Sequence, residues 1–259
     1  MAYMAGMTWN PTSYLAFASE RTRPAAELLA RIPLETPQAV ADVGCGPGNS
    51  TALLVERWPH ADVEGLDSSP DMIAEAEASG VVAHWTLTDA ATWTAERAFD
   101  VMFSNAAYQW MPDHRALLPR LLKFVKRGGA FAFQVPCNFN APSHVLMRET
   151  ANDGPWAAKL QNIREASVLG VADYFDILEP HAARIDIWET EYLQVLEGED
   201  AVYRWVSATG LRPFVQALEG AEREAFIAAY KTRLNAAYPL RADGRTLFPF
   251  QRLFAVALR

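Results

Sequence analysis

Cysteine is scarce in this 259-residue chain: Cys45 and Cys137 are its two cysteines, far apart and in unrelated contexts. A disulfide framework or a thiolate metal site needs several cysteines at fixed spacing, so neither is expected. Long apolar runs are missing too, and none approaches the roughly 18 residues of a membrane span. The first residues, Met1–Met7, lack a basic segment and soon meet polar Asn10, so they are not expected to act as a secretory leader, and the cytoplasm is the expected compartment. Positive charge is short: 23 Lys and Arg stand against 31 Asp and Glu, a formal net charge of −8. No broad basic footprint for nucleic acid exists, and an anionic partner would have to be drawn in by a local cluster of arginines. The five histidines (His60, His84, His114, His144 and His181) are scattered, with neither H-E-x-x-H nor G-x-S-x-G. No metal set and no nucleophile–base pair is therefore expected. There are no internal repeats or low-complexity tracts.

What is present begins with Val40-Ala-Asp-Val-Gly-Cys-Gly-Pro-Gly-Asn-Ser-Thr51. A β-branched apolar run ends in glycines at alternate positions, Gly44, Gly46 and Gly48, ahead of a helix-like segment. Glycine reaches φ > 0 freely and has no Cβ to block a ligand, so a strand turns sharply here and a nucleotide lies close to bare backbone. The next apolar run, Asp62-Val-Glu-Gly-Leu-Asp67, ends in an acid, which in a doubly wound sheet can accept both ribose hydroxyls of an adenosine. The spacing is G-x-G-x-G after Asp42, not the G-x-G-x-x-G of a dinucleotide site. With Asp42, Asp67, Asp89 and Phe99-Asp-Val-Met-Phe-Ser-Asn105 in order, the chain resembles the S-adenosylmethionine-dependent methyltransferases at their first motif. A purely structural glycine turn would leave the ordered acids without a reason.

Strands are expected at Ala39–Val43, Val63–Leu66, Val81–Leu87, Asp100–Ser104 and Ala130–Val135. Helices are expected over Tyr14–Arg31, with Pro24 starting a new one, over Asn49–Trp58, with Asn49 or Ser50 as N-cap, and after Ser69-Pro70. Another is expected over Asp113–Val125, closed by Gly128-Gly129. Two late β-like runs, Ile185–Val195 and Arg252–Leu258, would form a hairpin-like pair split by a helical insertion. The fold class is α/β: one domain over residues 1–259, a doubly wound and mostly parallel Rossmann-like sheet. Helical cap insertions are expected at about 143–178 and 200–238, with an N-terminal helical segment at about 9–31.

Ligands in such sheets sit outside the carboxyl ends of the strands. Gly44 and Gly46 would let the methionine part of S-adenosylmethionine lie against backbone, with Asp42 and Gly48 of the same motif also expected among the cofactor contacts, and Asp67 with Ser68 would hold the ribose. Asp89 would accept the adenine amino group beside the Ala90 N–H, unless it serves as a cap. Met72 suits the adenine face or the helix core, and Asn105 lies toward the sulfonium. A sulfonium methyl is already activated, so catalysis needs orientation and no catalytic side chain, and a carboxylate acceptor needs no general base. Arg21 and Arg23, His144 and Arg148, and Arg212 are the candidates for acceptor binding, because guanidinium forks match carboxylates. Either Arg21 or Arg23 would alternatively hold the cofactor's own carboxylate, and each arginine also suits a surface ion pair. Trp9, Tyr14, Tyr174, Trp205 and Tyr230 stand as pocket wall or core.

Beyond the first motif the chain resembles one family, the trans-aconitate 2-methyltransferases, from Trp9 almost to the C-terminus. The segments that carry it include Trp9-Asn-Pro, Glu20-Arg-Thr-Arg-Pro24, Gln109-Trp-Met-Pro-Asp-His114, His144-Val-Leu-Met-Arg-Glu149 and Trp205-Val-Ser-Ala-Thr-Gly-Leu-Arg-Pro213. The resemblance implies methylation of one carboxylate of a tricarboxylic acid by S-adenosylmethionine, with release of S-adenosylhomocysteine. The alternatives are a methyltransferase for another small acid or a carrier-bound malonate and, in a different class, a silent cofactor-binding regulatory module. A monomer acting on a small polycarboxylate, away from membranes and nucleic acids, is the expectation.

Overall fold

The computed structural model describes residues 18–163 and 165–259. Met1–Met7, Trp9 and Tyr14 lie outside the described residues, as does the start of the expected N-terminal segment. Helix α1, Ala18–Ala30, runs through Pro24 where a fresh start is expected. A proline costs a helix its N–H bond four residues back, and here that would fall on Glu20, still near the helix's beginning. The chain clusters into two compact units: residues up to Pro136 with Val168–Thr190 and Leu253–Arg259, and Cys137–Ser167 with Glu191–Arg252.

In the first unit β1 (Ala39–Val43) is buried along its whole length. That is the mark of a parallel strand covered on both faces, and its Ala-Val-Ala-Asp-Val sequence fits apart from one acid. Helix α2 (Asn49–Arg57) follows the glycine turn. Its N-cap is Gly48, in the left-handed region at φ 93°, not Asn49 or Ser50. The turn's own backbone supplies the cap, and Asn49 is already helical. Next come β2 (Asp62–Asp67), α3 (Pro70–Ala78), β3 (His84–Leu87) and β4 (Phe99–Asn105). Ser69 caps α3 as expected, its hydroxyl accepting the Met72 N–H ahead of Pro70 in the first turn.

Helix α4 (His114–Leu122) ends earlier than expected, and β5 (Val125–Pro136) takes in the Gly128-Gly129 pair. The glycines form an irregularity in the β4–β5 pairing and not a helix cap. Partners shift from Phe99↔Val125 to Val101↔Ala130, and a Cβ on Gly129 would sit 2.6 Å from the Asp100 carbonyl oxygen. Two glycines let one strand loop out at that point.

Chain order continues with α5 (Pro142–Asn152), α6 (Ala157–Leu160), α7 (Val171–Leu178) and β6 (Arg184–Glu197). Then come α8 (Ala201–Ser207), α9 (Arg212–Gln216), α10 (Gly220–Ala237) and β7 (Arg245–Leu258). The seven strands lie in the order β3-β2-β1-β4-β5-β7-β6. β1, β2, β3, β4 and β5 pair in parallel. Backbone bonds from Gly128 to Arg259 and from Cys137 to Gln251 run in opposite senses along β5 and β7, so β7 is antiparallel. β6 and β7 are the expected late pair, longer than foreseen, with helices between them.

The first unit's core gathers Phe99, Phe103, Phe131, Phe133 and Tyr108, all essentially inaccessible to solvent. In the second unit Trp156, Phe226 and Tyr230 are buried. The Tyr230 hydroxyl donates to the Ser143 carbonyl at 2.7 Å, and the Ser143 N–H donates to the Tyr238 hydroxyl at 3.1 Å. These bonds satisfy backbone groups at the start of α5, which has no side-chain cap of its own. No described helix is long and apolar enough to cross a membrane.

Candidate active site

Strand order reverses between β1 and β4, and the crevice outside their carboxyl ends is where an open α/β sheet takes its ligand. A pocket stands there, lined among others by Gly44, Gly46, Asp67, Ser68, Asp89 and Asn105. It is a partly open concavity in which a few polar groups converge among apolar side chains, as in a small-molecule site.

Three left-handed glycines shape its floor: Gly44 at φ 74°, Gly46 at 56° and Gly48 at 93°. Gly44 also yields to a neighbour, since a Cβ there would stand 2.3 Å from the Ala107 Cβ. Gly46 has no heavy atom within 4 Å of such a Cβ, so its face of the turn is open. Gly48 does not line the pocket; its missing Cβ leaves room for the Trp85 ring, which also fills the space beside Gly65.

Asp67 joins the floor to the end of β2. Its Oδ2 accepts the Gly46 N–H at 3.0 Å and its Oδ1 the Ser69 N–H at 2.9 Å. Burial pushes its carboxyl pKa up, and the backbone donors of Ser69, Gly46 and Ser68 pull against that. Asp42 lies elsewhere than expected. Although it belongs to the glycine motif, it does not line the pocket. It is wholly buried, and its Oδ2 accepts the hydroxyls of Ser50 and Thr51, both at 2.7 Å. Its work is to hold the first turn of α2. Burial raises its pKa to about 6 despite those two donors.

On the far rim Asp89 closes a turn, Oδ1 accepting the Ala91 N–H at 2.9 Å, so it caps a turn and not a helix. Arg120 of α4 donates to the carbonyls of Ala90 and Trp93 and pins that turn. Ala90 and Met72 are both buried and both line the pocket, Met72 from α3. Asn105 ends β4, and its Oδ1 is buried without a hydrogen-bond partner among the described residues. Of the expected cofactor contacts, Gly44, Gly46, Asp67, Ser68, Met72, Asp89, Ala90 and Asn105 come together, while Asp42 and Gly48 stand behind the turn.

The wall beyond Asn105 goes beyond the residues that the sequence singles out. Ala106 is left-handed at φ 54°, an uncommon state for a residue with a Cβ. It turns the chain so that Ala106, Ala107, Trp110 and Met111 line the pocket. Thr22 and Ala25 of α1 also contribute. Nothing in those residue types announces the role, although the Gln109–His114 segment stands out as a motif.

Arg21 falls on α1 with its side chain outside what is described. Arg23 lies on an exposed face and pairs with Glu27 at 2.8 Å, one helical turn on. His144, Arg148 and Arg212 belong to the second unit. Burial, with Arg148 beside it, lowers the His144 pKa to about 4. His144 is thus neutral at pH 7 and can assist as a hydrogen-bond partner but not as a cation. Arg148 donates to the Phe139 carbonyl at 2.9 Å and meets Glu165 at 3.4 Å. Arg212 is half-buried, and burial lowers its pKa. Among the described residues no group of three or more His, Cys, Asp or Glu could hold a metal ion.

A family model described as a methyltransferase domain matches residues 40–129, the segment that builds this pocket. A trans-aconitate 2-methyltransferase of Azoarcus sp. (strain BH72) is 50% identical over 253 residues, covering 97% of this chain and 99% of that protein. The protein of the same name from Methylobacterium radiotolerans is also 50% identical, covering 96% and 97%. Among solved structures, a Haemonchus contortus phosphoethanolamine N-methyltransferase bound to S-adenosylhomocysteine shares the fold. Its TM-score is 0.56 at 16% identity, over 95% of this chain and 57% of that longer one. With identity of this level running along nearly the whole of both chains, the protein belongs to the trans-aconitate 2-methyltransferase family.

Proposed function

We propose that the chain methylates one carboxylate of trans-aconitate with S-adenosylmethionine, giving a monomethyl ester and S-adenosylhomocysteine. The acceptor follows the family, and the single structural observation that supports the cofactor is the pair of acids at successive strand ends. Asp67 and Asp89 flank a glycine turn that leaves open space over Gly46. The residues fit the cofactor: Asp67 for the ribose hydroxyls, Asp89 for the adenine edge, Met72 for its face, and the buried Asn105 Oδ1 toward the methionine end. When bound, S-adenosylmethionine supplies a methyl on cationic sulfur, so a carboxylate oxygen takes the methyl carbon while the C–S electron pair returns to sulfur. No proton moves. A carboxylate is ionised at neutral pH, and accordingly neither a general base nor a metal is required of this chain.

The acceptor's remaining carboxylates need cations, because a tricarboxylate approaches a chain of net charge −8. Arg148 and Arg212 are our candidates, with neutral His144 as a hydrogen-bond partner. An acceptor carboxylate would compete with Glu165 for Arg148 Nη1, the longer of its two contacts. Arg21 and Arg23 remain candidates for either the acceptor or the cofactor's carboxylate. We place the enzyme in the cytoplasm as a monomer acting on a small polycarboxylate. The test is a calorimetric titration in two stages. S-adenosylhomocysteine should bind at one site per chain, and trans-aconitate should then bind the complex more tightly than citrate or fumarate. Failure of the first stage removes the cofactor reading, and indifference among acids in the second removes the acceptor reading.

A further inference from the structure

His114 has no part in the chemistry above, yet it is buried, histidine and all, behind the wall that begins at Ala106. Its Nε2 lies 2.7 Å from the Tyr108 carbonyl oxygen, and its Nδ1 lies 2.8 Å from the Tyr174 hydroxyl. The Tyr174 oxygen in turn accepts the Leu169 N–H at 3.3 Å. A carbonyl oxygen can only accept, so Nε2 must carry the proton. In the neutral ring Nδ1 is then an acceptor and takes the Tyr174 O–H, while a lone pair of the tyrosine oxygen accepts the Leu169 N–H. This tautomer serves the Tyr108 carbonyl, the Tyr174 hydroxyl and the Leu169 N–H together. The opposite tautomer sets two lone pairs against each other at Tyr108.

The Tyr108 carbonyl matters because of where it sits. It opens the short 3₁₀ turn Tyr108–Trp110, two residues after the left-handed Ala106, and it also accepts the Met111 N–H at 2.8 Å. A left-handed alanine persists only when its surroundings over-determine it. Ala106 donates its N–H to the Gln134 carbonyl at 2.9 Å and accepts from Gln109 Nε2 at 2.6 Å. The ring of His114 adds the tie at Tyr108, between these bonds and the pocket-lining Trp110 and Met111. We infer that His114, set in its Nε2–H tautomer by Tyr174, is a positioning residue that holds the Ala106–Met111 wall of the cofactor pocket through the Tyr108 carbonyl. The inference rests on the cofactor reading of that pocket. Burial lowers the His114 pKa against the Tyr108 and Met111 carbonyls and Asp113, which raise it, and the net lowering favours the neutral ring this arrangement requires.

Two substitutions divide the ring's two contacts. His114→Gln keeps an N–H at the reach of Nε2 and can still donate to Tyr108. His114→Asn keeps an oxygen at the reach of Nδ1 and can still accept from Tyr174, but it lets the Tyr108 carbonyl go. Calorimetry with S-adenosylhomocysteine should show His114→Asn weakened by about tenfold or more, and His114→Gln by no more than about threefold. Equal losses in both variants, or no loss in either, would overturn the inference. Should either variant fail to fold, nitrogen-15 NMR of the wild-type histidine ring decides the matter at pH 7. The expected spectrum has Nε2 protonated and Nδ1 bare, and a proton on Nδ1 would overturn the inference. A wild-type protein that shows this tautomer but does not bind S-adenosylhomocysteine would sink the cofactor reading and not the tautomer.

Discussion

Gly46 donates its N–H to the Asp67 carboxylate at 3.0 Å, so the glycine turn after β1 and the acid ending β2 form one unit. A ribose acceptor and the floor of the pocket are thereby held together, and Asp67 keeps lone pairs for a ligand after serving Gly46 and Ser69. Asp67→Ala should lower affinity for S-adenosylhomocysteine by roughly 30- to 150-fold, the loss of about 2–3 kcal/mol from a charged acceptor. Unchanged binding in a titration calorimeter would remove Asp67 from the site.

The glycines of the turn should not respond alike. Gly44→Ala drives a Cβ to within 2.3 Å of the Ala107 Cβ at a left-handed φ, whereas Gly46→Ala meets only the backbone penalty. That penalty is about 1–2 kcal/mol. Urea unfolding should find Gly44→Ala clearly the more destabilised of the two. Equal losses would mean that the β1 turn and the Ala106–Met111 wall can part at little cost.

These elements differ in how openly the sequence announces them. The strand Ala39–Val43 and its glycine turn are legible because burial on both faces and a sharp exit each demand particular residue types. The Ser69-Pro70 start of α3 is legible because capping is local chemistry. Gly128-Gly129 is ambiguous, for a glycine pair after a helical run suits both a helix end and a strand irregularity. The contact that decides it, with the Asp100 carbonyl, comes from a distant strand. Asp42 reads like Asp67 in sequence, and they part in the fold because hydroxyls from α2 claim the one and leave the other facing the pocket. The Ala106–Met111 wall is the least legible part, since alanine does not advertise a left-handed backbone.

Asp42 and His144 should give stability opposite dependences on pH. The Asp42 pKa is raised to about 6, so the folded state holds this proton more tightly than the unfolded chain. Its contribution is present below about pH 4 and is lost as pH rises through about 6. The His144 pKa is lowered to about 4, so its contribution is present above about pH 6.5 and is lost as pH falls through about 4. Asp42→Asn removes the first effect and leaves the second. Relative to the wild type, the variant should gain about 2.4 kcal/mol between pH 4 and pH 7.5, measured by urea unfolding. A difference that does not change with pH would show that Asp42 titrates as an ordinary carboxylate.

Arg148 and Arg212 divide from the cofactor residues by which constant they move. Arg148→Ala or Arg212→Ala should raise the KM for trans-aconitate by about 10- to 100-fold, the loss of a charge-assisted pair. Arg148→Lys should recover part of it, because an ammonium cannot make the planar two-bond contact. Steady-state kinetics in which neither alanine variant alters the acceptor KM would leave both arginines as structural ties, Arg148 to Phe139 and Glu165.

The most direct test is a turnover experiment with methyl-labelled S-adenosylmethionine, a panel of di- and tricarboxylates, and mass analysis of the products. The expected product is a monomethyl ester of trans-aconitate carrying the label, matched one for one by S-adenosylhomocysteine and absent with Asp67→Ala at limiting cofactor. Labelled ester on a different acid, with trans-aconitate untouched, would contradict it, as would no transfer to any acid by a protein that binds the cofactor.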